Sequence, residues 1–293
     1  MALERGLDES VEANIQPGSD RVTNIGYLLS LGASVLLRKL EFLDIPSYCC
    51  YNIFGVSLCL LLNVLRRRFL HMKLYIIRHG ETKLNALGCL QGWTDEPLNQ
   101  NGKDLAIITG EALKEIPFDL VITSPLKRAR ETGELTVAAS EKNFGRKVPI
   151  IEDRRIMEFN WGCWEGLGCL ESNFEVPDPD YNKFYTDAFH YQGSPDGDSV
   201  ADLMKRTAEF FNELIYNPEY QDKTILIATH GCALRAMLNP YYENKDSFWQ
   251  ERVPYNCAVT IADVKDGQVK ITAKDKIYYD ESLCFDHYKV VDK

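Results

Sequence analysis

Two histidines, His79 and His230, each follow an apolar run and precede a glycine, in the strings LYIIRHGET and ILIATHG. A histidine that ends a buried strand stands at the carboxyl edge of a sheet, where open α/β folds bind ligands. The glycine after it lets a ligand approach the backbone. One such histidine is more often a packed or capping residue than a catalyst. Two of them, with Arg78 beside the first, point to a site built for an anion. Between them, FDLVITSPLKRARET reads as a third strand and turn, with Ser124 as a helix N-cap, Pro125 at the first helical position and Arg128 in the first turn. Helix N-termini attract anions through their free N–H groups, and a guanidinium there grips a phosphate in bidentate fashion. Three strand ends thus converge on phosphate chemistry.

The elements that must position these side chains begin at Met72. From there short β-branched runs alternate with amphipathic stretches, the pattern of a mostly parallel sheet covered by helices. Strands are predicted near residues 74–77, 120–123, 148–151 and 224–228, with edge strands near 258–264 and 269–273. Helices are predicted near residues 101–113, 126–138, 199–216 and 231–238. The stretch 153–199 is long, aromatic and interrupted by VPDPD and GSPDGDS, so it reads as a cap inserted over the strand ends. Its aromatics, Trp161, Trp164, Phe174, Tyr181, Phe184 and Tyr185, either line a pocket for an organic leaving group or form the cap's own core.

Composition narrows the partners. The chain of 293 residues carries a formal charge of −10, and residues 1–71 hold seven acids and seven bases, so the whole excess falls on the remainder. Nucleic acid and anionic membranes are unfavourable partners for such a surface, and an anionic substrate must be drawn by a local Arg and His cluster. A small phosphate ester fits. The nine cysteines lack Cys-x-x-Cys or Cys/His ligand spacing, so neither a metal site nor a disulfide framework is indicated and a reducing, cytoplasmic setting is expected. The neighbours Cys49 and Cys50, and the pair Cys163 and Cys169, read as coincidental.

Four motifs together resemble the histidine phosphatase superfamily, which includes phosphoglycerate mutases and many small phosphatases. They are Arg78 to Glu81, Arg128 within SPLKRARET, Glu158 within MEFNWGCWEGL, and His230 with Gly231. The resemblance spans about residues 72–256. It implies an α/β three-layer sandwich with a mostly parallel central sheet flanked by helices, and a cap insertion over the carboxyl ends of the strands. It also implies a metal-independent phosphomonoesterase of the phosphatase class (EC 3.1.3), related to the histidine acid phosphatases, that needs no cofactor and acts on a small phosphorylated metabolite. A phosphoglycerate mutase is the alternative, and an inactive protein that only binds phospho-ligands is a third reading.

In this resemblance His79 attacks phosphorus and becomes phosphohistidine, a step that needs a neutral ring, favoured by the nearby charges of Arg78 and Arg128. Arg78, Arg128, His230 and the Gly231 N–H bind the phosphate. Asn85 matches the family's asparagine six residues beyond the nucleophile, and reads equally as a turn residue satisfying local backbone. Glu158 takes the position of the general acid, in an apolar setting between Met157 and Phe159 that raises a carboxyl pKa. Glu165 is expected to be structural and Glu81 to hold the motif loop. Mutases of the superfamily carry an Arg-His-Tyr-Gly type sequence after the acid, whereas this chain has Phe159, Asn160, Trp161 and Gly162, which resembles the phosphatase branch. The family often has Gly-Glu-Ser after the cap; here Asp198 takes the glutamate position. Lys127 and Arg130 are expected to face solvent, Arg206 and Arg235 to pair with acids, and His71, His190 and His287 to lie on the surface.

Residues 1–71 fall outside the resemblance and admit three readings. The stretch 45–65 is 21 residues long without a charge and ends at Arg66, Arg67 and Arg68, long enough for a membrane span but diluted by Pro46, Ser47, Asn52 and Asn63. An inserted span would leave the catalytic part cytoplasmic. Alternatively Met72 is the true start, since consecutive arginines three codons before it can be the translation of a purine-rich ribosome-binding sequence. The third reading is an ordinary extension. The domain boundary is accordingly set at 71/72, with the catalytic domain over 72–293 and its cap over 153–199.

Overall fold

The computed structural model describes residues 71–283, together with the two short strands Asn52–Ile53 and Val56–Ser57, which pair antiparallel. The readings for residues 1–70, Cys49 and Cys50, and His287 otherwise lie outside the described residues.

Apolar runs make the strands, and four of them, three buried and the outer Ile150–Glu152 largely exposed, form the parallel part of a six-stranded sheet. In chain order the strands are β1 (Met72–Arg78), β2 (Leu120–Thr123), β3 (Ile150–Glu152), β4 (Thr224–Thr229), β5 (Val259–Lys265) and β6 (Gln268–Lys276). Their order across the sheet is β3-β2-β4-β1-β5-β6. The pairs β3/β2, β2/β4 and β4/β1 are parallel, while β5 runs antiparallel to both β1 and β6. The stretch 258–264 is therefore not an edge strand: it pairs on both sides. Its alternating pattern fits an edge equally well, so sequence alone could not place it.

Among the described residues six α-helices accompany the sheet: α1 (Lys83–Leu87), α2 (Gln100–Ala112), α3 (Lys127–Phe144), α4 (Lys183–Thr186), α5 (Val200–Tyr216) and α6 (Gly231–Leu238). On one face Leu74, Ile76, Ile122, Ile225 and Ile227 pack with Phe210, Phe211 and Leu214 of α5 and Leu234 and Met237 of α6. On the other, Tyr75, Ile77, Val121 and Leu226 pack with Leu105 and Ala106 of α2 and Val137 of α3. The period-two alternation of β1 thus feeds both cores, giving three layers. A third cluster unites the cap aromatics Phe159, Trp161, Trp164, Tyr181, Phe184 and Tyr191 with Val200, Leu203 and Trp249.

Helix α3 starts later and runs further than its sequence indicates. Leu126 is its N-cap in extended conformation, so Ser124 and Pro125 lie in the turn before it, and Ser124 Oγ accepts only a long bond (3.4 Å) from Leu126 N. Arg128 is still in the first turn. Helices α1 and α4 are too short for a hydrophobic period to reveal.

Candidate active site

Register places the two histidines side by side. In the parallel β1/β4 pair, Arg78 lies opposite Thr229, so His79 and His230 leave the same sheet edge together, and His79 N donates to Thr229 O at 2.9 Å. Their ring centroids are 5.1 Å apart. At His79 the turn is packed hard against α2: a Cβ at Gly80 would meet Gly102 O at 2.5 Å. Only glycine allows that approach.

Arg78, His79, Asn85, Glu158 and Gly231 line a cleft above this edge. Arg128 and His230 are fully closed from solvent and do not line it. His79 Nδ1 is 2.7 Å from Gly80 O, a carbonyl that only an N–H can face. The ring is therefore the Nδ1–H tautomer, with the Nε2 lone pair unspent. Burial, then the charges of Arg128 and Arg78, hold the His79 imidazole well below the usual histidine range, against a small opposing effect of the Gly80 bond. His230 is held low by burial first and then by Arg128, His79, Arg206 and Arg78. It forms the N-cap of α6 without a side-chain cap bond, and neither ring nitrogen has a partner among the described residues. A buried imidazole left unpartnered costs about 1–3 kcal/mol, a cost that a ligand oxygen would relieve.

Two arginines supply positive charge. Arg78 Nη1 donates to Pro254 O. Arg128 donates to Thr94 O at 2.8 Å and Gly92 O at 2.6 Å, and burial pulls its pKa down to about 10 despite the opposing charges of Glu158, Glu165 and Asp95. The loop that offers those carbonyls is organised by Glu165, whose carboxylate accepts from the N–H groups of Gly92, Trp93, Thr94 and Trp161 and from the Thr94 hydroxyl.

Glu158 is placed differently from its expected apolar setting. Its Oε1 accepts from Phe159 N (2.9 Å) and Ala233 N (3.1 Å), and its Oε2 from Cys232 N (3.1 Å). The carboxylate thus caps the first turn of α6 from another element. Arg206 fixes the backbone around it, donating to Met157 O (2.5 Å), Glu158 O (2.6 Å) and Asp198 Oδ2 (2.9 Å). Asp198 at the glutamate position therefore makes an internal bridge.

Asn85 serves the local backbone and the cleft together. Its Oδ1 accepts from Thr82 N at 3.3 Å in a reciprocal capping box while the residue lines the cleft. Glu81 Oε1 accepts from Asn99 Nδ2 at 2.6 Å, tying the motif turn to the start of α2. Arg235 pairs with Asp275, and Lys127, Arg130, His71 and His190 are exposed. Sequence reading missed Gln91 and Trp249, which also line the cleft. Gln91 Oε1 accepts from Thr82 Oγ1 at 2.7 Å and its buried Nε2 has no partner among the described residues. The polar Gln-Gly pair after an apolar residue was the only signal for it. Cys232 also reaches the cleft, but burial, then Glu158, pushes its thiol well above the usual range, which leaves it protonated and a poor nucleophile.

The family model described as histidine phosphatase superfamily (branch 1) matches residues 74–275. The chain belongs to this superfamily. A Bacillus subtilis protein named as an uncharacterized phosphatase, PhoE, is 33% identical over 163 residues, covering 56% of this chain and 74% of that protein. A Gloeobacter violaceus protein named 2,3-bisphosphoglycerate-dependent phosphoglycerate mutase 2 is 31% identical over 166 residues, covering 56% and 73%. Among solved structures, Bacillus stearothermophilus YhfR superposes with a TM-score of 0.60 at 29% identity, covering 70% of this chain and 97% of its own. Phosphatases and mutases of the superfamily thus stand at similar distances.

Proposed function

We infer that the protein is a metal-independent phosphomonoester hydrolase that acts on a small phosphorylated metabolite through a phosphohistidine. The observation that carries this reading is His79, which lines the cleft with its Nδ1–H held by Gly80 O, while burial and the charges of Arg128 and Arg78 keep Nε2 unprotonated. In the first step Nε2 attacks phosphorus and the bond to the ester oxygen breaks, its electron pair leaving with that oxygen. Arg78, Arg128, His230 and the Gly231 N–H at the start of α6 share the negative charge of the phosphoryl oxygens, as in-line transfer requires. Asn85 adds a donor. Glu158 protonates the departing alkoxide, then takes a proton from the water that attacks the phosphohistidine, returning both groups to their starting states.

The mutase alternative shares the first step and differs in the acceptor, a second hydroxyl in place of water. The similarity to a named mutase favours keeping it in view. Phe159, Asn160, Trp161 and Gly162 after the acid add no cation to retain a substrate's second anionic group, which supports water as acceptor. The unbridged thiols of Cys89, Cys163, Cys169, Cys232 and Cys257 fit a cytoplasmic setting.

The test supplies 3-phosphoglycerate with catalytic bisphosphoglycerate, in the presence of a chelator, and follows 2-phosphoglycerate against free phosphate. Phosphate release in excess is expected. Isomer formation greatly exceeding it would replace hydrolase by mutase, and loss of turnover on chelation would remove the metal-independent mechanism.

A further inference from the structure

The apolar part of the cleft wall is built from two separate parts of the chain. The cap contributes Trp161, Phe184 and Tyr185, and the segment after α6 contributes Trp249 and Val253. Trp249 joins them. Its indole Nε1 donates to Phe184 O at 2.7 Å, and its ring meets Phe184 edge-on at 5.0 Å and lies tilted against Tyr185 at 5.8 Å. The indole's one polar atom is spent inside the protein, so what it offers the cleft is carbon.

The backbone that presents Trp249 is held in an unusual shape. The next two residues, Gln250 and Glu251, have φ of 53° and 82°, left-handed values that non-glycine residues adopt only when their surroundings impose them. Gln250 supplies the restraint: its Nε2 donates to Asn244 O at 2.6 Å and Ser247 O at 2.5 Å, and its own N–H donates to Ser247 Oγ at 3.1 Å. Strain of this kind, placed beside a cleft wall, fixes one side chain in one position. The charged groups that line the cleft are Arg78 and Glu158, both engaged at the phosphate end.

We propose that Trp249 is a specificity-determining residue that makes the enzyme select phosphomonoesters of flat, apolar alcohols over esters whose alcohol carries a second anion. This rests on the hydrolase reading above. A planar ring in the alcohol would lie against the indole and displace water from it. A carboxylate there would lose its hydration and find no free cation among the lining residues.

The test compares three primary alkyl esters, which hold leaving-group chemistry nearly constant: phenethyl phosphate, glycerol 3-phosphate and 3-phosphoglycerate. The wild-type kcat/KM for phenethyl phosphate is expected to exceed that for 3-phosphoglycerate by at least about tenfold. Trp249→Ala is expected to reduce that ratio about tenfold, chiefly through KM, while inhibition by inorganic phosphate stays unchanged; Trp249→Phe is expected to keep most of the ratio. Should Trp249→Ala not fold, Tyr185→Lys carries the test, because a cation on the cap residue that lies against the indole is expected to raise kcat/KM for 3-phosphoglycerate relative to phenethyl phosphate. Equal wild-type turnover of the three esters, or variants that scale all three alike, would overturn the proposal. Absence of any turnover and of any phosphohistidine would instead overturn the hydrolase reading beneath it.

Discussion

The imidazoles of His79 and His230 stand 5.1 Å apart, both buried, and each is held neutral by burial and by the arginines around the pair. Their folded pKa values lie below the ordinary unfolded value of about 6.5. As pH falls through 6.5 the unfolded chain takes up these protons and the folded chain does not, so stability is complete above that pH and declines below it. Each histidine contributes a slope of about 1.4 kcal/mol per pH unit. Urea unfolding at pH 7.5 and 5.5 is expected to show a loss of roughly 3 kcal/mol in the wild type beyond that in a His79→Gln/His230→Gln variant. Parallel losses in the two proteins would mean that the histidines are not buried neutral.

His79→Ala is expected to abolish turnover and covalent phosphoryl labelling together. The neighbouring candidate, His230, is fully closed from solvent, whereas His79 lines the cleft. Acid-quenched labelling followed by peptide mapping checks this, and label retained on another histidine would refute the assignment.

Glu158→Gln removes the transferable proton while preserving an oxygen acceptor for Cys232 N or Ala233 N. Turnover of alkyl esters is expected to fall by ~10²–10⁴, and that of an activated aryl phosphate much less, because its leaving group needs little protonation. Steady-state kinetics on both classes separates this from a capping role, for which both would fall alike.

The buried pair Arg235 and Asp275 joins α6 to β6, with Tyr242 and the Arg252 carbonyl completing the guanidinium's partners. Asp275→Ala leaves that charge uncompensated and is expected to cost about 3–5 kcal/mol of folding stability. The double variant Arg235→Met/Asp275→Leu is expected to recover most of it. Denaturant midpoints of the three proteins decide.

Much of the architecture was legible because buried strands are written as apolar runs. The stretch 120–123 and the helix 231–238 coincide with their observed bounds, and the shared edge of His79 and His230 follows from two strand ends. What escaped depends on chain segments that meet only in three dimensions. Ser124 and Pro125 carry a helix-start signature, yet the chain there takes an extended turn and begins the helix after Leu126. Glu158 looked apolar beside Met157 and Phe159, but donors 74 and 75 residues later reach its carboxylate. Trp249 had no motif around it, and its place on the cleft comes from the bond to Phe184, 65 residues earlier.

Five hydrogen bonds converge on Glu165, and the loop they fix provides both carbonyls that hold Arg128. The aim of that guanidinium is therefore set at one remove, by a carboxylate that does not line the cleft. The charge at the phosphate end and the accuracy with which it is pointed are separately adjustable: a change at Glu165 would leave every phosphate-facing group in the chain and yet blur where one of them stands.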